Sequence, residues 1–282
     1  MSNAGKPCTE SDYFKQLNEG TSKLLSRSSS SSVSHLMIDC ANGVGAEKIE
    51  SVIECIVSNG TVVTLKNTGD GVLNSQCGAD FVQKEKKVPQ NFEHGIDPEC
   101  LCLSLDGDAD RIVFFSQAAS SCPLELLDGD KILCLIASHL KSHVSRVSLE
   151  SSLDPKPTMG VIQTAYANGS STRFLESELG LNVVKTKTGV KHLHKAALDF
   201  DVSVYFEANG HGTVLFADTF LESLRQLEGN ESAEHLLNIA TIVNPSIGDA
   251  LSILLLVYVI LTEVSRKEEE EEEETEAAMM IG

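Results

Sequence analysis

Leu36-Met37-Ile38-Asp39-Cys40-Ala41-Asn42-Gly43-Val44-Gly45 is where the sequence first declares an architecture. A short apolar run ends in a glycine turn. Beyond it, Ile49, Val52, Ile53, Ile56 and Val57 recur at the i, i+3, i+4, i+7, i+8 spacing that places them on one face of a helix. Asn59-Gly60 stops that helix, and Thr61-Val62-Val63-Thr64-Leu65 is a second apolar, β-branched run. Strand, helix and strand within about thirty residues make a βαβ unit, and so an α/β fold.

Working outward, Leu101-Cys102-Leu103-Ser104-Leu105 and Ile112-Val113-Phe114-Phe115 read as strands joined by an acidic turn. Asp128-Gly129-Asp130 opens a helix running to about Ser142. After the Pro155-Lys156-Pro157 break a second cycle begins, with strands at 160–163, 181–185 and 202–206 and helices at 171–179 and 189–198. The chain therefore divides into a polar, Ser-rich lead-in (1–34), loose apart from a helix over Ser11 to Leu25; two tandem α/β domains (35–150 and 151–265); and an acidic tail (266–282) expected to be disordered. The boundary between the domains is expected at 145–157.

The 282 residues are 41% hydrophobic and 22% charged, with 22 Lys plus Arg against 41 Asp plus Glu, a formal net charge of −19. That length is enough for two domains at about 150 residues each. The run Glu268 to Glu274 supplies seven of the negatives and leaves −12 elsewhere. Such a surface repels phosphate backbones and anionic membranes, which argues against nucleic-acid and membrane partners. Eight cysteines without a C-x-x-C pair fit reduced thiols rather than a disulfide framework or a zinc ribbon. Met1 to Cys8 has no apolar signal core, and the apolar run Ala250 to Leu261 is too short to span a bilayer. Together these features imply a soluble, cytoplasmic protein.

Three segments can carry chemistry. Asp106-Gly107-Asp108-Ala109-Asp110-Arg111 places three carboxylates on one turn between apolar strands. They repel one another unless a cation sits among them, and hard oxygen ligands suit Mg²⁺. An EF-hand loop starting at Asp106 would need Gly and Glu where Arg111 and Gln117 stand, so calcium of that type is excluded. A haloacid-dehalogenase-like phosphatase, with Asp106 as nucleophile, would need Thr or Val at Asp110 and is a weak alternative. Phe206-Glu207-Ala208-Asn209-Gly210-His211-Gly212 offers hydroxyl-binding groups at Glu207 and Asn209 and a proton carrier at His211. Thr188-Gly189-Val190-Lys191-His192-Leu193-His194 begins a helix, where Lys191 can meet an anion; the two histidines, two residues apart, face different ways.

In this order, together with Gln163-Thr164-Ala165-Tyr166-Ala167-Asn168-Gly169, these segments resemble the phosphoacetylglucosamine mutase family, a branch of the α-D-phosphohexomutase superfamily. The resemblance runs from about His35 to about Leu261 and covers the middle two of that family's domains. It implies two phosphohexomutase-type domains with mixed sheets. It also implies interconversion of N-acetylglucosamine 6-phosphate and 1-phosphate, on the route to UDP-N-acetylglucosamine. Asp106, Asp108 and Asp110 would hold Mg²⁺, and Arg111 would neutralise the transferring group. Glu207, Ala208 and Asn209 would meet the sugar with His211 near the proton transfers, and Lys191 and His192 would lie at a specificity loop.

The family's Thr-Ala-Ser-His-Asn-Pro phosphoserine loop and its Arg-Pro-Ser-Gly-Thr-Glu phosphate clamp have no counterpart in these 282 residues. Ser28 to Ser32 lacks the neighbours to replace the former. The expectation is therefore a phosphorylated amino sugar as ligand without turnover by this truncated chain alone. A non-catalytic module, binding Mg²⁺ and sugar phosphate and associating with full-length mutase, is the alternative.

Overall fold

The apolar run around Ile38 forms β1 (His35–Asp39), which lies between two parallel neighbours, β2 (Val62–Lys66) and β3 (Cys100–Leu105). A computed structural model describes residues 9–26, 33–92, 100–117, 122–151 and 153–281, the last stretch as backbone only beyond 266. β4 (Ile112–Ser116) and β5 (Glu125–Leu127) extend the sheet antiparallel, giving the order β2-β1-β3-β4-β5. The second sheet repeats this plan. β6 (Met159–Thr164) sits between parallel β7 (Asn182–Thr186) and β8 (Val202–Phe206), and β9 (Gly212–Phe216) runs antiparallel to β8.

Both sheets are mixed, and in each the third strand in sequence reverses into an antiparallel one. The two reversals are Asp106 to Arg111 and Glu207 to His211. The two segments singled out for chemistry are thus topologically equivalent turns.

The helix expected after β1 is broken into α2 (Gly45–Lys48), a 3₁₀ turn (Ile49–Ser51) and α3 (Glu54–Ser58). Ile49, Val52 and Ile56 are buried as the spacing requires, but Val57 is exposed. The run of β-branched residues, poor at continuing a helix, accounts for the break. α4 (Ala79–Glu85) follows β2.

Three expectations change. The helix expected over Ser11 to Leu25 forms as α1 (Glu10–Leu25), but the segment that carries it is not a loose lead-in. Thr9 and Asp12 form a capping box, and Leu17, Leu24 and Leu25 are buried against α9 (Glu231–Ile242) and α10 (Ala250–Ile281). Gln16 Nε2 donates to Thr241 O at 2.7 Å, and Tyr13 Oη donates to the Asp249 carboxylate. A lead-in that looked polar in bulk carries one apolar stripe, and that stripe has a partner. Residues 1–8 and the serines at 28–32 lie outside the described residues.

α5 (Gly129–Glu150), read as the end of the first domain, packs along β8 and α9 and so belongs with the second sheet. The change of unit falls before residue 129 rather than at 145–157. The Pro-rich break precedes a strand inside the second unit.

α10 is buried from Ala250 to Ile260, as the apolar run demands, but its backbone stays helical to Ile281 where disorder was expected. The buried turns supply the costly helix nucleus, and glutamate propagates a helix well. Among the described residues no helix is long and apolar enough to cross a membrane.

The remaining helices are α6 (Gly169–Arg173), continued by a π-type turn (Phe174–Glu178), α7 (Val190–Ala197) and α8 (Asp218–Arg225). The largest buried cluster joins side chains of both sheets to α1, α5, α9 and α10. Each sheet also keeps a smaller cluster on its other face. The seven cysteines among the described residues form no disulfide, and five of them are buried.

Candidate active site

The acidic turn is built by its own first residue. Asp106 is 7% exposed, and its Oδ1 accepts from Asp110 N at 3.0 Å and Arg111 N at 3.1 Å. Ala109 adopts φ 57°, a left-handed conformation that a residue with a Cβ rarely takes, and this folds the chain back onto Asp106. The turn is pressed against the Asn42-Gly43-Val44 loop, where Val44 N donates to Gly107 O at 3.0 Å. A Cβ on Gly43 would lie 2.3 Å from Gly107 O, so the two backbones meet only because that position is glycine.

The loop after β1 is itself fixed by Asp39, fully buried and accepting from Ala41 N, Asn67 Nδ2, Gly78 N and Ser104 Oγ at 2.6–3.0 Å. Asp39 is a structural anchor that the sequence reading did not single out. A polar residue closing an apolar strand was its only signal.

The carboxylates of Asp106, Asp108 and Asp110 each offer an oxygen within 4.8 Å of the others. Burial, with the Asp110 and Asp108 charges adding to it, pushes Asp106 up to about 7, above the usual carboxylate range. Asp110 Oδ1 is buried without a hydrogen-bond partner. A cation among the three would relieve both conditions, and this hard-oxygen set on a rigid turn fits Mg²⁺.

Arg111 sits at the rim. Its Nη1 lies 3.1 Å from Asp80 Oδ1, and its Nε lies 3.7 Å and 3.6 Å from Asp106 and Asp110. Burial works against the guanidinium charge, but these three carboxylates outweigh it and raise its pKa. Asp80, at the start of α4, is a second residue the sequence reading missed, since nothing local links it to Arg111.

The other turn docks directly onto this one. Ile112 N donates to Gly210 O at 3.3 Å, and Gly129 N, at the start of α5, donates to Ala208 O at 3.2 Å. Gly210 has φ 90°, and a Cβ there would lie 2.0 Å from Ile112 O. Inside the turn, His211 N donates to Asn209 Oδ1 at 3.1 Å, which leaves both amide hydrogens and one oxygen lone pair of Asn209 for a ligand. Glu207 Oε1 accepts from Gly189 N at 3.2 Å and so joins the sugar-type turn to the start of α7. His211 is buried, with Nδ1 3.1 Å from Asp110 Oδ2.

Asp108, Asp110 and His211 line a cleft of about 520 Å³ whose other walls come from Tyr13, Lys48, Val190 and the 246–249 segment before α10. Lys191 and His192 occupy the first turn of α7 beside Val190 but do not line the cleft. His194, on another side of that helix, reaches Tyr205 Oη at 3.3 Å, so the two histidines do not share a site.

Two mixed sheets whose equivalent turns meet, one acidic and one of the Glu-x-Asn-Gly-His type, define an α-D-phosphohexomutase fold. Solved structures agree. An N-acetylglucosamine-phosphate mutase of that superfamily, in its apo form, superposes with TM-score 0.83 and 36% identity over 93% of this chain and 56% of its own. The Aspergillus fumigatus N-acetylphosphoglucosamine mutase in complex with GlcNAc-6P and magnesium gives TM-score 0.84 and 37% identity over 94% of this chain and 49% of that one.

Within the superfamily, the models for phosphoacetylglucosamine mutase AMG1 match here: domain II over residues 5–113 and domain III over residues 128–266. The phosphoacetylglucosamine mutase of Arabidopsis thaliana is 46% identical over 280 residues, 92% of this chain and 49% of the relative. The chain belongs to the phosphoacetylglucosamine mutase family, as its second and third domains, and spans about half the length of the curated relatives it matches. The domain models also place α1 with the first unit and α5 with the second. Membership of this family removes the haloacid-dehalogenase-like reading.

Proposed function

We propose that this chain forms the metal- and sugar-binding half of a phosphoacetylglucosamine mutase site, which interconverts N-acetylglucosamine 6-phosphate and 1-phosphate for UDP-N-acetylglucosamine biosynthesis in the cytoplasm. The observation that carries this reading is the meeting of the two turns through His211 and Asp110 at one cleft. The Aspergillus relative holding GlcNAc-6P and magnesium supports the ligand classes.

Asp106, Asp108 and Asp110 would hold Mg²⁺, which when bound supplies Lewis-acid neutralisation of a transferring phosphoryl group. Arg111, kept charged by its three carboxylates, adds fixed positive charge at the same rim. Glu207 and the Asn209 amide orient the sugar hydroxyls, with Ala208 backbone between them. His211 holds or moves a proton at Nε2, its Nδ1 being turned to Asp110. Lys191 and His192, next to the cleft wall at Val190, attract the ligand phosphate rather than contact it at rest. Phosphoryl donation would fall to a phosphoserine outside these two domains, and a full-length mutase is a partner that could supply it.

Calorimetric titration with N-acetylglucosamine 6-phosphate, with and without Mg²⁺, tests the proposal. Metal-dependent binding lost in Glu207→Ala is expected. Binding indifferent to both overturns it. A parallel mutase assay with a trace of the 1,6-bisphosphate is expected to give no product above the Asp108→Ala control.

A further inference from the structure

Away from the cleft, three helices bring His139 and His143 of α5, His235 of α9 and Glu263 of α10 together. Each offers a ligand atom within 4.8 Å of the others. We propose that these four residues bind one zinc-class divalent ion that braces α10 to α5 and α9, independently of the sugar-phosphate site. His139 lies ten residues into α5, roughly 15 Å along the helix from its contact with the sugar-binding turn.

The arrangement is that of a ligand set. His139 and His143, four residues apart, share one helix face. His139 Nε2 is 2.8 Å from His235 Nε2, His235 Nδ1 is 3.6 Å from Glu263 Oε1, and His139 Nε2 is 4.0 Å from Glu263 Oε2. Four ligands about 2.0 Å from a tetrahedral ion lie about 3.3 Å apart; the His139–His235 pair is shorter than that and the His139–Glu263 pair longer, while the second nitrogen of His235 faces Glu263, so small side-chain rotations would bring one atom of each residue to the ion.

The rings of His143 and His235 stack at 3.9 Å and 9°, and His139 approaches both at about 5 Å. His235 is 2% exposed, and His143 and Glu263 are 9% exposed. Three imidazoles this close and this buried cannot all be cations. A neutral ring presents the nitrogen lone pair that zinc takes.

A cavity of about 380 Å³ opens onto His143, His235 and Glu263 and gives an entry path. Arg146, Glu231 and Arg266 also line it, in a chain whose net charge of −19 favours cations. Four protein ligands leave no open position, which makes this a structural site rather than a catalytic one.

The test uses the full 282-residue chain stripped with chelator, in an Asp108→Ala background that removes the carboxylate site. Titration with Co²⁺ alone is expected to give the visible spectrum of a tetrahedral ion at one equivalent, displaced by one equivalent of Zn²⁺, with Tm raised by a few degrees. His235→Ala should abolish the spectrum, and His143→Gln should weaken Zn²⁺ at least tenfold if His235→Ala fails to fold. A folded Asp108→Ala protein that binds neither ion, or gives an octahedral spectrum, overturns the proposal. So does a tetrahedral spectrum that survives in folded His235→Ala or His143→Gln protein.

Discussion

His211 Nδ1 and Asp110 Oδ2, 3.1 Å apart, are the direct side-chain link between the turn of the first sheet and the turn of the second. The pair couples the electrostatics of the carboxylate cluster to the group that would handle the sugar's protons. His211→Gln keeps a polar side chain but cannot carry a positive charge to Asp110. It should lower Mg²⁺-dependent affinity for N-acetylglucosamine 6-phosphate about tenfold, roughly 1.4 kcal/mol, and shift Mg²⁺ affinity without sugar as well, since Asp110 belongs to the carboxylate trio. Calorimetry of both ligands on both proteins checks this.

Asp108 is the exposed member of the acidic trio, and Asp106 is the buried one. Asp108→Ala should therefore leave stability within about 0.5 kcal/mol of the parent while removing measurable Mg²⁺ binding. A melting curve and a metal titration on the same preparation separate the two effects. Retained Mg²⁺ affinity would show that the trio does not act as one ligand set.

Gly210 combines a left-handed φ with a backbone approach that no side chain can share. Gly210→Ala should cost roughly 2–4 kcal/mol and detach the Glu207 to His211 turn from Ile112. Denaturant unfolding gives the cost, and loss of sugar-phosphate binding in protein that remains folded reports the detachment.

Asp130, in the first turn of α5, is buried, and its Oδ2 accepts from Asn168 N at 2.9 Å. Burial raises its pKa above the ordinary carboxylate value, the Asn168 bond opposes this, and the Asp128 charge adds to the rise. A carboxyl whose folded pKa exceeds its unfolded one favours the fold below the unfolded pKa and loses that contribution as pH rises through the folded value. Asp130→Asn has no proton to lose. Its stability relative to the parent should therefore improve on going from about pH 4 to pH 7, and urea midpoints across that range measure the trend. Parallel curves would refute the prediction.

What could be read from sequence was whatever a local pattern specifies. β1, β3, β4, β6 and β8 stand out because parallel and central strands are buried on both faces and so become unbroken apolar runs. The Asp106 turn stands out because three carboxylates between such strands are costly unless they have a task. Contacts between distant residues leave no such trace. Arg111 finds Asp80 across 31 positions, and Asp39 gathers partners from four segments. α5 looks the same in sequence whichever sheet it covers, since an amphipathic stripe does not name its partner. Each histidine near Glu263 reads alone as an ordinary core residue, and only the spacing of His139 and His143 hints at company.

The packing of α1 on α9 and α10 has a consequence for how the molecule is made. The helix at 10–25 leaves the ribosome well before residue 231, where the surfaces that bury Leu17 and Leu24 begin. At about 5–20 residues per second, the roughly 200 intervening residues hold α1 without its partner for on the order of 10–40 s. α1 therefore waits for the last helices of the second unit, and its apolar stripe is open to chaperones and to other nascent chains in the interval.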